Sequence, residues 1–256
     1  MPPAVRVETH HDAGRLERRL VELLAGLKAA DGPFAPALVI APTRRLLVHL
    51  QEMLARALPA LLGVRFQHHD ALAAAIADHA GLPPLRPIGD AARRAILVDR
   101  LARAGGPLAD YVADVPGGAA SILATLDELR EARVDPAAAR RVAGLSEAAR
   151  SILALYADYA AALDGLAGAG FADRAGRIAA LQGHGARYAA RFRMVVHYGA
   201  YDLVGMNLDL MRGLAEGGDA PPMIVLAPGH PTAPAFVWAR GFWKETLGLD
   251  PAPVPE

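Results

Sequence analysis

The chain has 256 residues, no cysteine, and 27 basic side chains balanced by 27 acidic ones. That length buries a sizeable core without staples. The missing cysteine removes disulfides, thiolate metal sites and cysteine nucleophiles, and the balanced charge leaves no global field to draw the protein to nucleic acid or membrane.

The opening MPPAVRVETHH has no apolar run of signal-peptide length, and no uninterrupted apolar stretch of about 18 residues occurs anywhere. A soluble, cytoplasmic chain without membrane contact is expected. Only Lys28 and Lys244 are lysines, so the abundant arginine reads as coding bias as much as phosphate binding.

In chain order, VRVETHHDAGRLERRL (5–20) reads as a short strand, a loop and an amphipathic helix with Asp12 as its N-cap. ALVIAP (37–42) is a second strand, with Pro42 at the first turn of the next helix. GVRFQ (63–67) is a third, followed by DALAAAIADHA (70–80) with Asp70 as the expected cap. MVVHYG (194–199) and PMIVLAP (222–228) complete five short apolar runs, and all but the last are followed closely by a helical pattern. Continuous apolar runs alternating with helices predict buried parallel strands in an α/β sheet.

Between the third and fourth strands the pattern turns wholly helical. DAARRAILVDRLARA, GGAASILATLDELREARV and SEAARSILALYADYAAALDGL carry apolar residues at helical spacing, with no convincing strand among them. The expected organisation is a discontinuous α/β domain, 1–87 with 190–256, and a helical insertion over 88–189. The tail DPAPVPE is expected to be a linker or a cut end.

The first loop has the layout of a phosphate-binding loop, G-x-x-x-x-G-K-[ST] after a strand. Laid on the chain, the first glycine becomes Thr9, the second is Gly14, the lysine becomes Arg15 and the hydroxyl residue becomes Leu16. Leucine cannot ligate magnesium, and a forked guanidinium does not replace a compact ammonium. The fourth strand ends in His197 and Tyr198, with no carboxylate before Asp202. ATP hydrolysis is therefore not expected, nor any cofactor.

The order of these pieces resembles the N-terminal helicase-like region of AddAB-type helicase–nuclease B subunits. It also resembles related single-chain proteins that end in a PD-(D/E)XK, RecB-like nuclease domain. The segments that carry the likeness are ALVIAPTRRLLVHLQEMLA, GVRFQHHDALAAAIA, ILATLDELREARVDP, LALYADYAAALDGLAGAGFAD and VVHYGAYDLVGMNLDLMRGLA. Tyr198 stands at that family's acidic position and Asn207 at its glutamate. The resemblance implies a sheet of P-loop NTPase, superfamily 1 helicase 1A type, with a 1B-like helical insertion. It implies an inactivated scaffold and DNA-path element in DNA repair or recombination. Single-stranded DNA would be one partner, and a downstream nuclease domain or helicase subunit another. Loops after the second and third strands would meet the strand. Thr43, Arg44 and Arg45 would take a phosphate, and Gln67, His68 and His69 would lie along a base.

Two other readings stand beside it. His10, His11, His68, His69, His197 and His230 all follow predicted strands, with Asp12, Asp70 and Asp202 near. A divalent-metal hydrolase using His10, His68 and His197 is the alternative enzyme. A pure protein-interaction module is the third reading, with FVWARGFW (236–243) as a partner surface or a clamp within the chain. No G-x-S-x-G elbow exists, which removes that class of serine hydrolase.

Overall fold

The computed structural model describes residues 5–200, 203, 205–217, 219–229, 243–244 and 248–255. The elements run β1 (Val5–His10), α1 (Ala13–Asp31), β2 (Ala37–Ile40), α2 (Arg44–Ala57), β3 (Val64–Gln67) and α3 (His69–Ala80). There follow β4 (Arg86–Pro87), α4 (Asp90–Ala104), α5 (Pro107–Asp114), α6 (Gly118–Glu131), α7 (Pro136–Ala139), α8 (Glu147–Gly165), β5 (Phe171–Ala172), α9 (Arg174–Ala179) and α10 (Gly185–Ala189). The chain then forms β6 (Met194–Tyr198), α11 (Gly205–Ala215), β7 (Met223–Pro228) and β8 (Ala252–Pro253).

Contacts divide it into two compact units, Met1–Gly81 with Gln182–Leu203 and Leu210–Glu256, and Leu82–Leu181 with Val204–Asp209. The first holds a six-stranded sheet in the order β3-β2-β6-β7-β1-β8, and every pairing in it is parallel. The five expected strands are all present, and the α/β class is as expected.

Alternation along the strands sends Ala37, Val39, Ala41, Val196, Tyr198, Ile224 and Leu226 to one face, where Leu16, Leu20 and Leu24 of α1 and Leu47, Leu50 and Leu54 of α2 close the core. These leucines recur every three or four residues, which is why both segments are helical and why one stripe of each is buried. The opposite face carries Leu38, Ile40, Val195 and His197, all buried. There α3 and α10 meet through His79 against the Tyr188 ring. Gly185 of α10 lies so close to the backbone of Gly213 in α11 that a Cβ would sit 2.6 Å from it.

Three local expectations need correction. The helix after β3 begins at His69, and its cap is His68, whose Nδ1 accepts from the Ala71 amide, while Asp70 lies inside the first turn. Thr43 caps α2, so Pro42 precedes the cap instead of sitting in the first turn. The tail is not a linker over 252–254: Ala252 and Pro253 pair in parallel with Glu8 and Thr9, and Val254 is buried in the main core.

The second unit is built from α4, α6 and α8 around Leu97, Leu101, Ile122, Leu126, Tyr156, Tyr159 and Leu163. It also contains a two-residue parallel pairing of β4 with β5, which apolar periodicity gave no reason to expect. Arg130 is buried between Asp173 and Asp164, an arrangement that keeps an interior guanidinium paired. Among the described residues one stretch, Glu147–Ala169, is long and apolar enough, by length and composition only, to cross a membrane. Its apolarity comes from alanines and from buried residues, of which Leu155, Tyr156, Tyr159 and Leu163 pack against α4 and α6.

Candidate functional site

In a parallel sheet all strands end at one edge, and ligands sit where neighbouring strands send their helices to opposite faces. After β2 the chain turns to the face of α1 and α2, whereas after β6 it leads into α11 on the other face. The adjacent strands β2 and β6 therefore form such a point. The loop after β6 comes close to the start of α2: Gly199, at φ 76°, would place a Cβ 3.2 Å from Leu46 Cδ2. That positive φ and that spacing both favour glycine.

At this point Thr43 caps α2 with its hydroxyl, accepting from the Leu46 amide at 3.2 Å. No acidic residue lies in the first turn of α2. Arg44 and Arg45 are exposed, and neither makes an ion pair or side-chain hydrogen bond among the described residues. A helix N-terminus carries partial positive charge, so two guanidiniums beside it make an anion-attracting corner. Gln67, at the end of β3, lies in register with Ile40, the last residue of β2, which brings the β3 loop beside the β2 loop.

The remaining expected contacts behave differently from one another. The Gln67 Oε1 accepts from the buried Tyr188 hydroxyl at 2.9 Å, and the His68 imidazole turns inward to cap α3. His69 is only 4% exposed and meets the wholly buried His197, Nε2 to Nε2 at 2.9 Å, with the rings stacked. His69 is therefore withdrawn from the surface on which a base would lie. Burial, and then the His69 ring, hold the His197 imidazole well below its usual range. The Nδ1 of His197 is buried without a hydrogen-bond partner among the described residues.

The β1 loop is short. Strand β1 runs through His10 and α1 starts at Ala13, leaving two residues between them. Thr9 is a strand residue whose carbonyl accepts from the Val254 amide. The Asp12 carboxylate takes the Gly14 amide at 2.9 Å, in the place where a phosphate loop would offer amides to a ligand. Arg15 donates to the Pro255 carbonyl and to Glu22, and Leu16 is 2% exposed in the core. Nearby, Tyr198 is buried on the α1 side and its hydroxyl donates to the Ala13 carbonyl at 3.4 Å. Its phenol is pushed up to about 12 by burial, then by the carboxylates of Glu17 and Asp12. Tyr198 thus stands at the end of β6 as a buried, neutral ring.

The alternative metal residues are not gathered. His10 lies on β1, four strand spacings or about 19 Å from the end of β3, and two spacings or about 10 Å from His197 on β6. His10 Nδ1 accepts from the Asp12 amide, and its ring stacks on His11. Among the described residues no group of three or more His, Asp or Glu is placed to hold a metal ion. Asp202, His230 and most of the aromatic cluster 236–243 lie outside the described residues, while Trp243 is buried. Asn207, on α11, buries its Oδ1 without a partner among the described residues.

Sequence reasoning missed the His69–His197 pair. The two residues are 128 positions apart, and only the sheet order brings the start of α3 over β6. No protein-family model matches this chain, and no curated protein matches it.

Proposed function

We propose that this chain is a helicase-like α/β domain with a large helical insertion and without a working nucleotide loop. Its carboxyl edge guides a single DNA strand for a repair or recombination nuclease. The observation that carries the reading is the α2 corner. Arg44 and Arg45 are exposed and unengaged among the described residues, at a helix start capped by a neutral hydroxyl, at the point where neighbouring parallel strands send their helices to opposite faces. The β1 loop supports the second half of the reading, because its side chains are already committed within the fold. Asp12 caps α1, Arg15 holds Pro255, and Leu16 fills the core. A nuclease domain or a helicase subunit is the partner this role requires.

The test is a titration of fluorescent single-stranded DNA at two salt concentrations, with a nucleotide analogue in a parallel series. Binding should weaken with salt and ignore the nucleotide. In Arg44→Ala with Arg45→Ala the salt slope should fall by about 1.4, from roughly 0.7 per single-strand phosphate contact. Absence of binding at low salt sinks the strand-path reading.

A further inference from the structure

The His69–His197 pair has no place in the function above, yet it is costly to keep. A buried polar nitrogen without a partner is unfavourable, and two apolar residues of similar shape would fill the same space with no such penalty. The pair's geometry allows one hydrogen between the two Nε2 atoms, 2.9 Å apart. If both nitrogens carried hydrogen, two donors would face each other. A proton added to His197 would also enclose a charge at a residue with no exposure.

Among the described residues, the groups around the ring leave that argument standing. Strands β2 and β7, which flank β6, carry no titratable side chain. Around α3, His68 is turned to the Ala71 amide, Asp70 and Asp78 are exposed, and His79 stands against Tyr188. On the α10 side Arg187 is exposed, the Tyr188 hydroxyl is engaged by Gln67, and Arg191 lies over the Tyr188 ring. On α11 both Asp209 and Arg212 are exposed.

We propose that the His69–His197 pair is a proton-operated latch on the first turn of α3, closed while His197 is neutral and opened when it is protonated. The latch fixes the β3–α3 loop, with Gln67 and His68, beside the β2 loop. Its role as a regulator of strand binding rests on the strand-path reading, but the latch itself does not. A ring that must be neutral when folded takes up its proton on opening. Opening is therefore favoured as pH falls below the ordinary imidazole value of about 6.5.

The experiment is amide exchange on the full chain at pH 7.5 and 5.5, corrected for intrinsic rates, with strand binding followed in parallel. In wild type the protection of Ala71 and Leu72, whose amides donate to His68, should fall about tenfold for one proton gained. In His69→Leu with His197→Leu it should not change. Unchanged wild-type protection, or an equal fall in the double variant, overturns the latch. Should the double variant not fold, nitrogen NMR of the wild-type imidazoles decides. A charged His197 ring appearing at the same midpoint as the loss of α3 protection supports the latch, and separate midpoints overturn it. Strand binding that is lost at that midpoint supports regulation, and pH-independent binding overturns it. Absence of strand binding at both pH values overturns the strand-path reading, while exchange still decides the latch.

Discussion

The loops after β1 and β2 have the same layout, a strand, a sharp turn and a capped helix, and opposite electrostatics. After β1 the cap is a carboxylate, the neighbouring arginine is tied to Glu22 and Pro255, and the next residue is core leucine. After β2 the cap is a hydroxyl, and two arginines stand exposed. The layout is set by the βα unit itself. What distinguishes a filled loop from an open one is where charge sits and whether it already has a partner.

The largest expected effect comes from trying to convert the first loop into the site it resembles. Arg15→Lys with Leu16→Ser installs the lysine and the hydroxyl of a phosphate loop. Leu16 is 2% exposed among Leu20, Leu47 and Tyr198, so its loss removes buried methyl groups, leaves a cavity and buries a hydroxyl. Urea unfolding should show a loss of about 3–5 kcal/mol, with no nucleotide binding gained in a calorimetric titration. A stable variant that binds ATP would break the contrast between the loops.

A smaller effect is expected where the β6 loop touches the second. Gly199→Ala forces a side chain onto a residue at φ 76° and within 3.2 Å of Leu46. It should cost about 1–2 kcal/mol in urea and shift the start of α2. If stability is unchanged, the approach of the β6 loop to α2 is not the constraint described. Arg15→Ala serves as the matched control for the two exposed arginines, and strand affinity should not respond to it.

Much of the sheet was legible because the central buried strands leave a simple mark, a short apolar run such as ALVI or MVVHY followed by a helix with a three-to-four residue repeat. Asp12 as a cap was legible for the same local reason. Three features were not. The start of α3 was misplaced because a histidine did the capping that aspartate usually does, and Asp70 was the more orthodox candidate. The β8 pairing was hidden because Ala252 and Pro253 have no strand propensity, and only the neighbouring β1 edge makes them extended. The His69–His197 contact needs the strand order, which local pattern does not contain. Arg44 and Arg45 were legible as a pair, but their exposure and their lack of ion-pair partners among the described residues were not.

The sharpest of the small effects is a substitution that gives the second loop the charge of the first. Thr43→Asp keeps a side-chain acceptor for the Leu46 amide and adds a carboxylate at the start of α2. A negative charge at a helix N-terminus stabilises it by about 0.3–1 kcal/mol. Stability in urea should therefore hold or rise slightly, unlike Thr43→Ala, which removes the cap and costs about 1 kcal/mol. Strand affinity should move the other way. The new carboxylate competes with phosphate for the same amides and for Arg44 and Arg45, so binding should weaken several-fold at low salt and less at high salt, where screening shortens its reach. A variant both more stable and weaker in binding would separate the structural role of the α2 start from the proposed role in strand binding. Equal binding by Thr43→Asp and wild type would move the strand contact away from β2 altogether.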